Sequence, residues 1–198
     1  MKLVLATQNP KKLKEMNEIL SHLGVEVVSE AELGVRIEVE ETGETFTDNA
    51  RLKATAVMQA TGLPAVADDS GLCVDALNGG PGVYSARFGG EGLDDKGRYT
   101  LLLEMLRGQT DRAAHFHTSI VCVFPNGDEL VCEGECPGTI AFAPMGEGGF
   151  GYDPVFFVPE LRKTFGQLTA EEKASVSHRG KALRAFAAAL DDYLKGNE

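Results

Sequence analysis

The sequence predicts an α/β fold: a long mixed sheet flanked by helices. Two patterns carry this expectation. Short apolar runs alternate with helix-spaced apolar stripes through the first half of the chain. Two longer strand-like runs joined by Pro125-Asn126-Gly127 then form a hairpin, which adds antiparallel strands to a sheet begun in parallel.

The elements follow in order. Residues 3–6 (LVLA) read as a buried strand, and residues 10–23 as a helix with Leu13, Met16, Leu20 and Leu23 on one stripe. Residues 25–29 return as a strand. Thr45-Phe46-Thr47-Asp48 has the pattern of a helix cap, and the helix it opens runs to Thr61, where Gly62-Leu63-Pro64 stops it. Residues 65–67 form a short strand ending in the turn-like Asp68-Asp69-Ser70-Gly71, and residues 72–77 another. Residues 94–107 read as a helix. Residues 113–124 and 128–136 are the hairpin strands, and residues 155–158 a further strand. Thr169 with Glu172 forms a capping box. The last helix starts near Ser177, runs to Leu194 and turns Leu183, Phe186, Leu190 and Leu194 inward.

A chain of 198 residues with 43% apolar and 25% charged residues suits one sizeable domain, here 1–198. No apolar run is long enough to span a bilayer, and MKLVLATQNPKK reads as a first strand rather than a signal peptide, so the cytoplasm is the expected location. The formal net charge of −11 argues against nucleic acid or an anionic membrane as partner. Small anions remain acceptable where cations gather locally. Cys73, Cys122, Cys132 and Cys136 contain no C-x-x-C pair and read as reduced thiols. Their spacing with His115 and His117 matches no common zinc framework.

Three placements break local rules. A helix N-terminus disfavours cations by about 0.3–1 kcal/mol each. Yet Lys11 and Lys12 follow Asn9 (N-cap) and Pro10 (N1), and His178, Arg179 and Lys181 follow Ser177. A bound anion turns these penalties into gains. Lys53 sits on the otherwise apolar or small stripe Phe46, Ala50, Val57, where it must snorkel or meet a partner. Asp68, Asp69, Glu40 and Glu41 supply hard oxygens suited to Mg²⁺, whereas Asp94-Asp95 and Asp191-Asp192 read as solvated turn residues. There is no P-loop. Gly146 to Gly151 satisfies G-x-G-x-x-G, but a strand rather than a helix follows it, which rules out the dinucleotide reading.

Six blocks in order, LATQNPKKLKE (5–15), EETGETFTDNA (40–50), ADDSGL (67–72), GGPGVYSARF (79–88), GGFGYDP (148–154) and EEKASVSHRGKAL (171–183), cover nearly the whole chain. In them the sequence resembles the inosine triphosphate pyrophosphatases, which remove ITP, dITP and XTP from the nucleotide pool. The resemblance implies two lobes with a nucleotide cleft between them, a homodimer, and Mg²⁺-assisted attack of water on the α-phosphate. By position, Thr7, Gln8, Asn9, Pro10, Lys11 and Lys12 would hold the triphosphate. Glu40 and Asp69 would bind Mg²⁺, with Asp69 also taking the proton from water. Ser70, Lys53 and Lys173 would touch phosphate, and Phe150, Gly151, Tyr152, Asp153, His178 and Arg179 would hold the purine base. Gln8 departs from the glycine that members often carry there. A related pyrophosphatase acting on pyrimidine or modified nucleotides, a nucleotide-binding regulator without turnover, and a phosphatase releasing orthophosphate are the competing readings.

Overall fold

The computed structural model describes residues 1–197. Its strands are β1 (Lys2–Leu5), β2 (Glu26–Ser29), β3 (Ala65–Val74), β4 (Gly80–Pro81), β5 (Ala113–Val123), β6 (Glu129–Ile140), β7 (Phe156–Val158) and β8 (Lys163–Thr164). Its α-helices are α1 (Pro10–Leu20), α2 (Phe46–Thr61), α3 (Asp95–Met105), α4 (Ala170–Val176) and α5 (His178–Gly196). The strands join in the order β2-β1-β3-β5-β6-β7-β8, with β4 against β3. β1 runs parallel to β2 (Leu3 beside Val27) and to β3 (Val4 beside Ala65). β3–β4, β6–β7 and β7–β8 are antiparallel, so the sheet is mixed as expected.

The chain divides into two compact units. The first holds Met1–Asp69, Thr118–Gly134 and Lys181 onward, and the second Ser70–His117 and Glu135–Gly180. In the first unit, strand alternation sorts the core onto two faces. Leu3, Leu5, Val27, Val66, Ile120 and Cys122 pack with Met16 and Leu20 of α1 and Leu183, Phe186 and Leu190 of α5. Their neighbours Val4, Val28, Ala65, Ala67 and Val121 face Ala50, Ala54 and Val57 of α2. Small residues on α2 let that helix lie close to the strands. In the second unit Leu102 and Leu106 pack over Leu72, Val74, Phe116, Phe156 and Phe165.

Helix starts follow the sequence rules. Asn9 Oδ1 accepts from the Lys11 N–H at 2.9 Å, Thr45 caps α2 through the Asp48 N–H, and Thr169 with Glu172 forms a reciprocal box on α4. Ser177 Oγ accepts from the Gly180 N–H at the head of α5. The hairpin closes where the Phe124 N–H meets Asp128 O.

Two expectations need correction, and one strand is new. Residues 65–67 and 72–77 are not separate strands: β3 is a continuous strand of 10 residues, and residues 75–77 form a 3-10 turn. Asp68 and Asp69 do not end the strand, because their carboxylates find lysine and amide partners and the backbone keeps its ladder. β8 is a two-residue strand, too short to leave a periodic signal. The acidic pairs are not free turn residues: Asp94 caps α3 through the Gly97 N–H, and Asp191-Asp192 lie within α5.

Candidate active site

In the first unit, the loop after β1 is shaped by its own side chains. Thr7 Oγ1 accepts from the Asn9 N–H at 3.2 Å, and Asn9 then caps α1 with Pro10 at its first position. No acidic residue lies in the first turn of α1, so the positive end of the helix and the exposed Lys11 act together. Thr7, Gln8, Asn9 and Pro10 line one wall of a hollow of about 450 Å³, whose other wall is the segment from Ser29 to Arg36. A smaller hollow of about 150 Å³ joins Thr7 and Gln8 to Lys53.

Carboxylates and lysines of this unit interlock. Lys12 Nζ lies 2.7 Å from Asp68 Oδ2. Lys53 Nζ lies 2.9 Å from Glu41 Oε1 and 3.5 Å from Asp69 Oδ1. Asp69 Oδ2 also accepts from Asn49 Nδ2 at 3.2 Å. Burial opposes the charge on Lys53, but Asp69, Glu41 and Asp68 outweigh it and hold the ammonium above its ordinary pKa. Burial pushes the Asp69 carboxyl up. Lys53 opposes that rise, and the charge of Glu41 adds to it. Lys53, the one cation on an apolar stripe, thus has its partners. Of the glutamate pair, Glu41 meets Lys53; Glu40 is exposed and makes no side-chain bond among the described residues.

In the second unit, β3 continues into Ser70. The glycine-rich loop from Gly146 to Gly151 ends in turns and then β7, with no helix after it. Two carboxylates hold this loop. Asp153 accepts from the Phe150 N–H at 2.9 Å and from Lys173 Nζ, and Asp95 accepts from the Gly151 N–H at 2.7 Å. Gly149, at φ 78°, is required here because a Cβ would strike the Asp153 carboxylate. Burial raises the Asp153 carboxyl, and Lys173 and the Phe150 N–H oppose it. The Lys173 ammonium also stands 4.8 Å from the centre of the Phe150 ring. Phe150 itself is 77% exposed.

These positions separate the sequence-predicted residues by environment. Lys12, Lys53 and Asp69 come together with Asp68, Glu41 and Asn49. Lys173 comes instead to Asp153 and Phe150, beside the glycine-rich loop. Tyr152 is buried, donates to Ser85 O at 2.7 Å and has its pKa pushed up to about 12 by burial, so of the two aromatics only Phe150 offers a ring face. The Phe150 and Gly151 N–H groups have carboxylate partners in Asp153 and Asp95. His178 stacks on Phe116 with ring centres 4.7 Å apart, beside the half-buried Arg179. The sequence assigns no role to Asn49, reads Asp95 as a solvated turn residue and groups Glu41 with the carboxylates suited to Mg²⁺. The one available signal was Asn49: a polar side chain of modest helix propensity, one residue before the small-residue stripe.

Comparison with known proteins places these residues in a family context. The model of the Ham1 family matches residues 3–189. A dITP/XTP pyrophosphatase of an Exiguobacterium species is 50% identical over 99% of this chain and 100% of its own length. One from Thermus thermophilus is 52% identical, covering 97% of this chain and 93% of its own. Among solved structures, a HAM1 protein from Coxiella burnetii superposes with a TM-score of 0.93 at 43% identity, covering 97% of this chain and 99% of that one.

Proposed function

The chain belongs to the Ham1 family, and from that premise we propose that it hydrolyses ITP, dITP and XTP to the nucleoside monophosphate and pyrophosphate. The observation that carries the reading is the interlocked set in the first unit: Lys12 on Asp68, and Lys53 on Asp69 and Glu41. An acidic protein has here set lysines against carboxylates, Lys12 in the first turn of α1 and Lys53 on α2. Each ammonium has three donors, so triphosphate oxygens can join those carboxylates around the lysines without displacing them.

The residues also fit Mg²⁺. Asp69 is half-buried and its carboxyl is already raised by burial and by Glu41, a strain that a divalent cation relieves. Glu41 is balanced by Lys53, which leaves Glu40 as the glutamate available to the ion. Asp69 and Glu40 would hold it; two carboxylates, with the rest from water and phosphate, is the set Mg²⁺ accepts. When bound, Mg²⁺ supplies charge neutralisation and a more acidic water. Asp69 takes the proton of the attacking water. Lys12 and Lys53 balance charge on the departing pyrophosphate. Thr7, Gln8, Asn9, Pro10, Lys11 and Ser70 hold the triphosphate.

Base selection is assigned to the second unit. Phe150 offers a face for the purine ring. The Gly149 and Tyr152 N–H groups, with Arg179, donate to the O6 acceptor of hypoxanthine or xanthine. Adenine presents a donor at that position and leaves them unsatisfied, at about 1–3 kcal/mol per group. Asp153 and Lys173 act by fixing the loop, and His178 by its stack on Phe116. The working form in this reading is a cytoplasmic homodimer. No described helix is long and apolar enough to cross a membrane.

The test is an assay with dITP, XTP, ATP and dTTP in Mg²⁺, measuring pyrophosphate against orthophosphate. Pyrophosphate from dITP and XTP, with ATP and dTTP at least tenfold poorer in kcat/KM, is the expected result, about 1.4 kcal/mol of discrimination. Orthophosphate as first product, or equal use of ATP, contradicts the proposal.

A further inference from the structure

Asn49 has no solvent exposure, yet its side chain is a primary amide. Buried amides persist where both ends are satisfied. Here Oδ1 accepts from the Gly43 N–H at 2.8 Å, and Nδ2 donates to Asp69 Oδ2 at 3.2 Å. The orientation of the amide follows from its partners: only an oxygen can face the Gly43 N–H, so the NH₂ end must face the carboxylate. Gly43 is drawn tightly onto this group. A Cβ there would stand 2.6 Å from Asn49 Oδ1, 2.7 Å from Asp48 Cβ and 2.9 Å from Asn49 N. Asn49 itself is held in the first turns of α2, where its N–H bonds to Thr45 O.

Gly43 ends the short run Glu40-Glu41-Thr42. A single side chain on a rigid helix therefore ties the backbone of the glutamate loop to the carboxylate at the end of the first unit's stretch of β3. We infer that Asn49 is a positioning residue, an amide clamp that sets the Asp69 carboxylate against the Glu40–Glu41 loop for the hydrolysis. The inference rests on the reaction proposed above. Asn49 touches no reacting atom in this scheme. It acts through Asp69, where a small misplacement is amplified in rate.

Asn49→Asp is the sharpest variant. It keeps the size and the acceptor for Gly43, and puts a second carboxylate oxygen where the donor to Asp69 was. The expected result is a fall in kcat for dITP of at least about 100-fold with KM within about threefold of wild type, the split that marks a loss confined to the catalytic step. Binding of dITP in EDTA, read by calorimetry, should stay within about threefold as well. Gly43→Ala attacks the same clamp from the other side and carries the test if Asn49→Asp does not fold. The double variant should fall no further than the worse single one, since both break one contact.

A folded Asn49→Asp or Gly43→Ala protein with kcat near wild type overturns the inference, as does a loss confined to KM or additive effects in the double variant. A wild-type protein that leaves dITP intact defeats the reaction itself; an active wild type with indifferent variants defeats the clamp alone.

Discussion

Lys12 Nζ lies 2.7 Å from Asp68 Oδ2, and the Asp68 side chain is only 3% exposed. A nearly sealed carboxylate thus has its charge matched by a lysine that is itself partly open to solvent. That arrangement gives Lys12 a structural duty beside its proposed phosphate duty. Lys12→Gln is expected to lower unfolding free energy by about 1–3 kcal/mol in urea denaturation, the range for losing a charged hydrogen bond. It should also raise KM for dITP about tenfold. An unchanged KM would show that Lys12 serves the fold alone.

Arg51 and Glu129 form a bidentate pair at 2.8 Å for each of two bonds. The hydrogen bond from Arg51 holds the Glu129 carboxyl below its ordinary 4.5. A lowered carboxyl pKa stabilises the fold above the unfolded value, and that stability is lost as pH falls through the folded value. The pair is partly exposed, so its contribution is about 0.5–1 kcal/mol. Denaturation of wild type and Glu129→Gln should differ by that amount at pH 7. The difference should shrink as pH drops below 4.5.

Phe150 and Tyr152 are two residues apart but have opposite surroundings. Phe150→Ala should raise KM for dITP about 3–10-fold, from about 0.5–1.5 kcal/mol of stacking, with little change in melting temperature. Tyr152→Phe should do the reverse. It removes the bond to Ser85 O, so stability should fall by about 1–3 kcal/mol while KM holds. Thermal melts and steady-state kinetics on both variants check the contrast.

Asp69→Asn should reduce kcat below about a tenth of wild type, a barrier increase above about 1.4 kcal/mol. The amide is close to isosteric, so a normal melting curve with full activity would remove Asp69 from the reaction.

Much of this architecture is legible in the sequence because it is local. Caps at Asn9, Thr45, Thr169 and Ser177 declare themselves by residue type and spacing, and strand alternation declares the two faces of the first unit. Lys12 in a helix first turn and Lys53 on an apolar stripe each break a local rule, and each stands beside a carboxylate. What stayed hidden depends on partners far away in the chain. Asp95 looks like surface charge until the Gly151 N–H, 56 residues on, reaches it. Asn49 looks like an indifferent helix residue until Gly43 and Asp69 close on its two ends. Lys173, expected at phosphate, has Asp153 and the Phe150 ring as partners, and neither pairing is visible in local sequence. The continuous β3 was concealed because two adjacent aspartates imitate a turn.

The account turns on which phosphorus is attacked. Hydrolysis of dITP in ¹⁸O-labelled water, followed by mass spectrometry of the products, answers this directly. Label in dIMP, with unlabelled pyrophosphate, is the predicted result. Label in pyrophosphate or in released orthophosphate would contradict it.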